Sequence, residues 1–356
     1  GAPTGPSSTP VPTTLVSTGR RDGGFAEVSG KRLLGFTGTV DLTTTAAEGQ
    51  TGTLLLDPYN LTISASGENT GGSLTANTDN SVINVNTITN ALSTANVQVT
   101  TGTGGSQDGN ITVASDIGWF SSNTLTLDAA KDINLNASVF AFQGGLNLNS
   151  GGSITQANNT DINLQKGNFS AVAAGSITQT AAAGGGSTAG TMQVAGTTSL
   201  TASGGSVDVS SAGNKFTGAV SATSDAAGLV NIHNNQVTSL GAISAGTGGL
   251  TVTSAGQLTG SAALASAGGV NLSTTAAGKI ELTGAFSATG NVSLSADSVG
   301  YISIADINGD VTISGVTAGG AITLGNNDTG SVTLGAGAPN VGDATTVITG
   351  VAGSGG

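Results

Sequence analysis

From about Arg20 onward the chain repeats one short phrase: two aliphatic residues flanking a single polar one, then a turn of small residues. Late in the chain the pairs are Val292/Leu294, Ile302/Ile304, Val311/Ile313, Ile322/Leu324 and Val332/Leu334. Earlier ones are Leu125/Leu127, Ile133/Leu135, Leu146/Leu148, Ile162/Leu164, Val207/Val209, Val230/Ile232, Leu250/Val252, Val270/Leu272 and Ile280/Leu282. Alternation with period two over so short a span is a strand signal, and the spacing leaves no room for helices. Skipping every second pair gives starts at 230, 250, 270, 292, 311 and 332, steps of 19 to 22 residues. The phrase GSITQ recurs at 152–156 and 175–179, a step of 23.

Short strands at this period predict an all-β chain, a right-handed parallel β-helix with coils of about 20 residues and two or three strands per coil. One such coil buries almost nothing by itself. It becomes stable only when equivalent coils stack, with aliphatic residues inward and polar ones outward.

Composition decides against disorder, which usually joins low hydrophobicity to high charge. Here 37% of the 356 residues are hydrophobic, 8% are charged and 3% are aromatic, so the predicted core is thin and aliphatic. The net charge is −12, and four of the eight basic residues, Arg20, Arg21, Lys31 and Arg32, fall near the start. Only Lys131, Lys166, Lys215 and Lys279 serve the rest, which excludes nucleic acid as a partner and disfavours anionic membranes. No apolar run approaches the roughly 20 residues of a membrane span. The absence of cysteine removes disulfides and thiolate metal sites, and fits export of an unfolded chain through a narrow pore.

Residues 1–19 hold most of the prolines and are expected to be a linker or loosely ordered tail. Residues 20–350 should form a single β-helical rod, with a candidate excursion from it at 64–81, where Gly, Asn and Thr replace the aliphatic pairs, and a flexible tail at 351–356. The start at Gly-Ala, without Met or a signal-peptide pattern, leads to the expectation of a piece of a longer protein.

The segments GGFAEVSGKRLLGFTGTVDL (23–42) and TGTLLLDPYNLTIS (51–64) go beyond periodicity. Through Gly23, Gly24, Phe25, Glu27, Ser29, Gly30, Val40, Asp41, Leu55, Leu56, Asp57, Pro58, Asn60 and Ile63 the sequence resembles the filamentous haemagglutinin-like exoproteins of two-partner secretion. ITNALSTANVQVTTG, GNITVASDIGW (109–119) and NTLTLDAAKDINLNASV (123–139) extend the resemblance to about residues 22–140. It implies a bacterial cell-surface or secreted protein that folds after passing an outer-membrane secretion pore. The family's amino-terminal secretion domain would lie upstream.

Candidate sites are few. Asp128 and Asp132 flank Lys131, the nearest approach to the clustered carboxylates of a β-helical polysaccharide lyase or hydrolase, but a solvated turn explains them as well. Asp306, Asn308 and Asp310 have the oxygen spacing that opens a calcium loop, a weak metal candidate because Val311 and Thr317 stand where such a loop needs Gly and Glu. His233, the sole histidine, is read as an outward polar residue. Trp119, Phe120, Phe140 and Phe142 suggest either a sugar-stacking patch or filling beneath a loop. Asn-x-Ser/Thr sequons at Asn60, Asn110, Asn136, Asn158, Asn168, Asn271, Asn291 and Asn327 follow from the outward composition. Thr43/Thr45 is too isolated for a regular ice-matching face.

The expectation is therefore a non-enzymatic surface adhesin or structural rod segment, with no catalytic residue and no cofactor. Its partner would be a host receptor, a glycan or a biofilm matrix polymer. The alternatives are a polysaccharide-processing enzyme and a haem or iron acquisition exoprotein of the same secretion family.

Overall fold

The computed structural model describes residues 14–16, 22–29, 34, 36, 39–47, 49–66, 80–102, 107–180, 188–276, 278–296, 300–318, 320–326, 332–334, 340–341 and 346–350. The chain divides into two compact units, Gly1–Asn168 and Phe169–Gly356. The strands pair in parallel as a β-solenoid, as the periodicity predicts, with coils of roughly 22 residues where about 20 were expected.

In the first unit the strands build three sheets. One joins Phe25–Ser29, Thr53–Asp57, Asn96–Thr100, Leu125–Ala129 and Leu146–Ser150. The second joins Asn80–Asn84, Asn60–Ser64, Ile111–Val113, Ile133–Leu135 and Ile154–Gln156, and the third Ile117–Trp119, Val139–Ala141 and Asp161–Leu164. The aliphatic pairs set the register: Leu125 stands on Val97 and under Leu146, Ile133 between Ile111 and Ile154, Val139 between Ile117 and Ile162. All of these side chains are buried, so each coil lays an apolar floor for the next.

One element departs from the sequence expectation. Helix α1, Val85–Leu92, lies where the spacing seemed to exclude helices. Val85, Ile88, Ala91 and Leu92 are its buried residues, a three-to-four-residue recurrence that a search with period two passes over. Asn84 caps it by accepting a hydrogen bond from the Asn86 amide at 2.9 Å, and at its far end Asn123 Nδ2 donates to the Leu92 carbonyl at 2.8 Å. The helix packs against Ile117–Trp119, the strand at which the third sheet ends. An uncovered edge there would invite another strand.

Two other readings meet the structure only in part. Within the stretch read as a tail, Thr14–Val16 pairs in parallel with Thr39–Asp41, and the rest of 1–19 lies outside the described residues, as does 351–356. The excursion at 64–81 falls largely on residues 67–79, also outside them. Its flanks are described: Asn60–Ser64 pairs directly with Asn80–Asn84, so the chain returns beside the strand it left.

In the second unit Val230, Leu250, Val270 and Val292 stand above one another, as do Ile280, Ile302 and Ile322. The predicted step from Val292 to Val311 is corrected: Ile313 stands opposite Val292, and a register shift follows that sets Gly315 opposite Ser293. A third sheet, Thr191–Val194 with Lys215–Phe216, stops at Phe216 in this unit. In the following coils one long strand, Thr238–Ala245, pairs with both Leu258–Gly260 and Leu264–Ser266.

The end of that third sheet is closed by a side chain. Asn234 is fully buried; its Oδ1 accepts from the Phe216 amide at 2.9 Å and its Nδ2 donates to the Phe216 carbonyl at 3.0 Å. The carboxamide thus offers Phe216 the donor and acceptor that another strand would supply. Asn214 does similar work one coil earlier, accepting from the Met192 amide at 2.8 Å while bonding to Gln179 and to the Val209 carbonyl. Replacing Asn234 by Leu, of similar volume, leaves a buried N–H and C=O unpaired. We expect the Asn234→Leu variant to lose about 2–5 kcal/mol in chemical denaturation, and an unchanged midpoint would show that water replaces the amide.

Candidate functional site

In the first unit, polar residues that precede aliphatic pairs occupy corners between strands, and several are engaged with backbone. At the corner entering the second sheet of the first unit, the Asn110 amide donates to Asn60 Oδ1 at 2.7 Å. The Asp132 amide donates to Asn110 Oδ1 at 2.9 Å, and the Ser153 amide to Asp132 Oδ1 at 2.7 Å. At the corner entering the third sheet, the Ser138 amide donates to Asp116 Oδ1 at 2.8 Å and the Asp161 amide to Ser138 Oγ at 3.0 Å. Each side chain ties its coil to the backbone of the next.

This ladder separates Asp128 from Asp132. Asp132 holds the next coil in place, whereas Asp128 projects from Leu125–Ala129 in register between Thr100 and Asn149, and Lys131 is exposed at the turn. Of the sequons, Asn60 and Asn110 are rungs of the ladder, and Asn327 lies outside the described residues.

The four aromatic residues flagged in the sequence do two different things. Trp119 points inward, 2% exposed, with Nε1 donating to the Asn123 carbonyl at 2.8 Å. The indole passes so close to Gly144 that a Cβ there would lie 2.2 Å from Nε1. The three phenylalanines gather outside on the third sheet. Phe120 is 73% exposed, and its ring centroid lies 6.1 Å from that of Phe140 and 6.3 Å from that of Phe142. Lys166, from the next coil, places its Nζ 5.2 Å from the Phe142 centroid, a cation–π arrangement that the sequence reading missed. Stacking brings residues 120, 142 and 166 together because the Trp119, Ala141 and Leu164 positions share a register.

Asp306 ends up on the strand Ile302–Ile307 in register with Ala285, and Asn308 follows it with its amide donating to the Phe286 carbonyl at 2.8 Å. Gly309 takes φ +76°, a left-handed turn, before Asp310 leads into Val311–Ala318. Among the described residues no group of three or more His, Cys, Asp or Glu side chains is placed to hold a metal ion. His233 lies on the outward side of Leu229–Asn234, in register with Thr253 and half-buried. Desolvation there holds its imidazole below the usual histidine range.

A second polar cluster went unnoticed in the sequence. Glu281 is ion-paired with Lys279 and accepts from the Tyr301 hydroxyl at 3.3 Å, with Lys279 Nζ 5.3 Å from the Tyr301 ring centroid. The Lys279 hydrogen bond draws the Glu281 carboxyl below its usual range. Glu281 also borders an open groove of about 170 Å³ with Ser239, Thr259, Gly260, Ser261 and Thr283. Two-residue spacing across the start of one strand, Lys279 to Glu281, and one coil step to Tyr301 were the available signals.

The stacked parallel coils define a β-solenoid repeat protein. A family described as repeats of unknown function (DUF5649) matches residues 157–223 and again 227–295, less than half of the chain. The two matches start 70 residues apart, about three coils, so the family's unit is a block of coils. No curated protein and no solved structure matches the chain.

If Asp132 is a rung, Asp132→Ala should cost about 1–3 kcal/mol by orphaning the Ser153 amide, while Asp132→Asn and Asp128→Ala stay close to the parent in thermal melts. Equal loss at Asp128 would argue against the ladder. His233 gives a pH signature as well. Its folded value is depressed, so its contribution to stability is present above the unfolded value of about 6.5 and is lost as pH falls through the folded one. We expect unfolding midpoints to drop below that pH, and His233→Gln, which removes the only histidine, to flatten the drop.

Proposed function

We propose that this solenoid is a non-enzymatic adhesive segment of a secreted or cell-surface bacterial exoprotein, of the filamentous haemagglutinin-like type that residues 22–140 resemble. The observation that carries the reading is the cluster of Phe120, Phe140 and Phe142 beside Lys166. Aromatic residues make up 3% of the chain, and three of them stand together on the outer face of one sheet. Exposed rings on a rigid strand platform present flat apolar faces to the C–H faces of sugar rings. A cation beside them adds a hydrogen-bond donor for hydroxyl or carboxylate groups.

The engagement of Asp116 and Asp132 with neighbouring backbone supports a scaffold role for the corner carboxylates. The partner on this reading is a glycan of a host surface or biofilm matrix, and passage through an outer-membrane pore precedes folding. Among the described residues the polysaccharide-processing reading has the Glu281–Lys279 pair beside its open groove in its favour, and the haem-acquisition reading has no comparable feature.

A glycan screen with the whole chain tests the proposal. Phe120→Ser combined with Phe142→Ser should weaken binding of any captured glycan about tenfold or more, the loss of roughly 1.4 kcal/mol of stacking, with thermal unfolding unchanged. Retained binding in the double variant would move the site elsewhere, and turnover of a bound glycan would favour the enzyme reading.

A further inference from the structure

We infer that Asn308 is a site of spontaneous deamidation in the folded protein, converting a neutral turn into an acidic one. Asn308–Gly309 is the sequence's single Asn-Gly step. Such a step is reactive because the glycine amide nitrogen can swing onto the asparagine Cγ without a side chain in the way. The reaction is slowed when that amide is held in a hydrogen bond.

The chain provides its own comparison. Two Asp-Gly steps, Asp22–Gly23 and Asp108–Gly109, can close the same five-membered ring with loss of water. In both the glycine amide is tied down: Gly23 N donates to the Gln50 carbonyl at 2.8 Å, and Gly109 N to Asn60 Oδ1 at 2.8 Å. Gly109 is hemmed in as well, since a Cβ on it would lie 2.6 Å from the Ala130 Cβ. At Gly309 the amide makes no hydrogen bond to another described residue, and a Cβ built there would meet nothing within 4 Å. The turn sits at φ +76°, a conformation natural to glycine, and Asn308 has left the strand that ends at Ile307.

The chemistry balances with water alone. Base removes the Gly309 N–H proton, the nitrogen bonds to Asn308 Cγ, and the side-chain nitrogen leaves as ammonia, giving a succinimide. Water then opens the ring at either carbonyl. One opening yields Asp, and the other yields isoaspartate, whose main chain runs through the β-carbon. Net, an amide and water become a carboxylic acid and ammonia. The product adds one negative charge between Asp306 and Asp310. In the isoaspartyl form it also lengthens the turn between Ile302–Ile307 and Val311–Ala318 by one methylene.

The test uses the whole chain held folded at mildly alkaline pH, then digested and mapped by mass spectrometry alongside isoelectric focusing. The peptide carrying Asn308 should gain the mass difference between amide and acid before any other asparagine peptide, with isoaspartate as the larger product. One acidic band should accumulate. Asn308→Ser, which leaves the glycine turn in place, should abolish that band. Gly309→Ala should slow it, but it strains a positive-φ position, so the serine variant is the deciding one. The inference is overturned if Asn308 converts only in denaturant, if another asparagine converts first, or if the acidic band survives in Asn308→Ser.

Discussion

In a stack of parallel coils every strand can satisfy its backbone only through the coils on either side, so the difficult places are the corners, where strands stop and amides would be orphaned. At two corners of the first unit this protein answers with short polar side chains placed one residue ahead of the inward aliphatic that opens the strand. Asn60, Asn110 and Asp132 serve one corner; Asp116 and Ser138 serve another. The bonds run from one coil to the next, in the direction of the strand pairing, so the corner reinforces the same register that the aliphatic floors impose. A coil displaced by one residue would break both sets at once. Asn214 and Asn234 extend the device into the interior, and at Asn234 the acceptor and donor of the carboxamide substitute for a missing strand.

How much of this was legible in the sequence depends on which period carried it. Inward positions follow a period of two within strands and of about 20 between coils. Leu250, Val270 and Val292 therefore stand where the sequence put them, and Leu294 is buried beside Leu272. Helix α1 carries its signal at a different period, with Val85, Ile88, Ala91 and Leu92 spaced for one face of a helix inside a stretch read by its resemblance. Ile313 rather than Val311 stands opposite Val292, and the register then skips a residue so that Ser293 meets Gly315, neither of which the alternation of the sequence displays. The corner ladder did leave a trace, an Asn, Asp or Ser before Ile111, Ile117, Ile133, Val139, Ile154 and Ile162. Its meaning needs three dimensions, since the bonded partners lie 21 to 50 residues apart.

The aromatic cluster shows the same division between what spacing reveals and what stacking creates. Phe120, Phe140 and Phe142 are close enough in sequence to be noticed together, but Trp119 was noticed with them and belongs to the interior. Trp119 ends its strand facing inward, and Phe120, the next residue, lies exposed. Lys166 joins only because a coil of that length brings it from the next coil beside Phe142. Coil length is thus a determinant of surface chemistry as well as of the core.

That coupling bears on how such a protein can vary. Inward and corner positions answer to the stack, and a change in either is felt by the coil above and the coil below. Outward positions in mid-strand, such as Phe140 between Gly118 and Asn163, answer to no backbone requirement, so their identities are set by whatever meets the surface. A phenylalanine there gains nothing from exposure to water. On the proposed reading the cluster contributes to binding, while Asp132, though charged and near the surface, belongs to the fold.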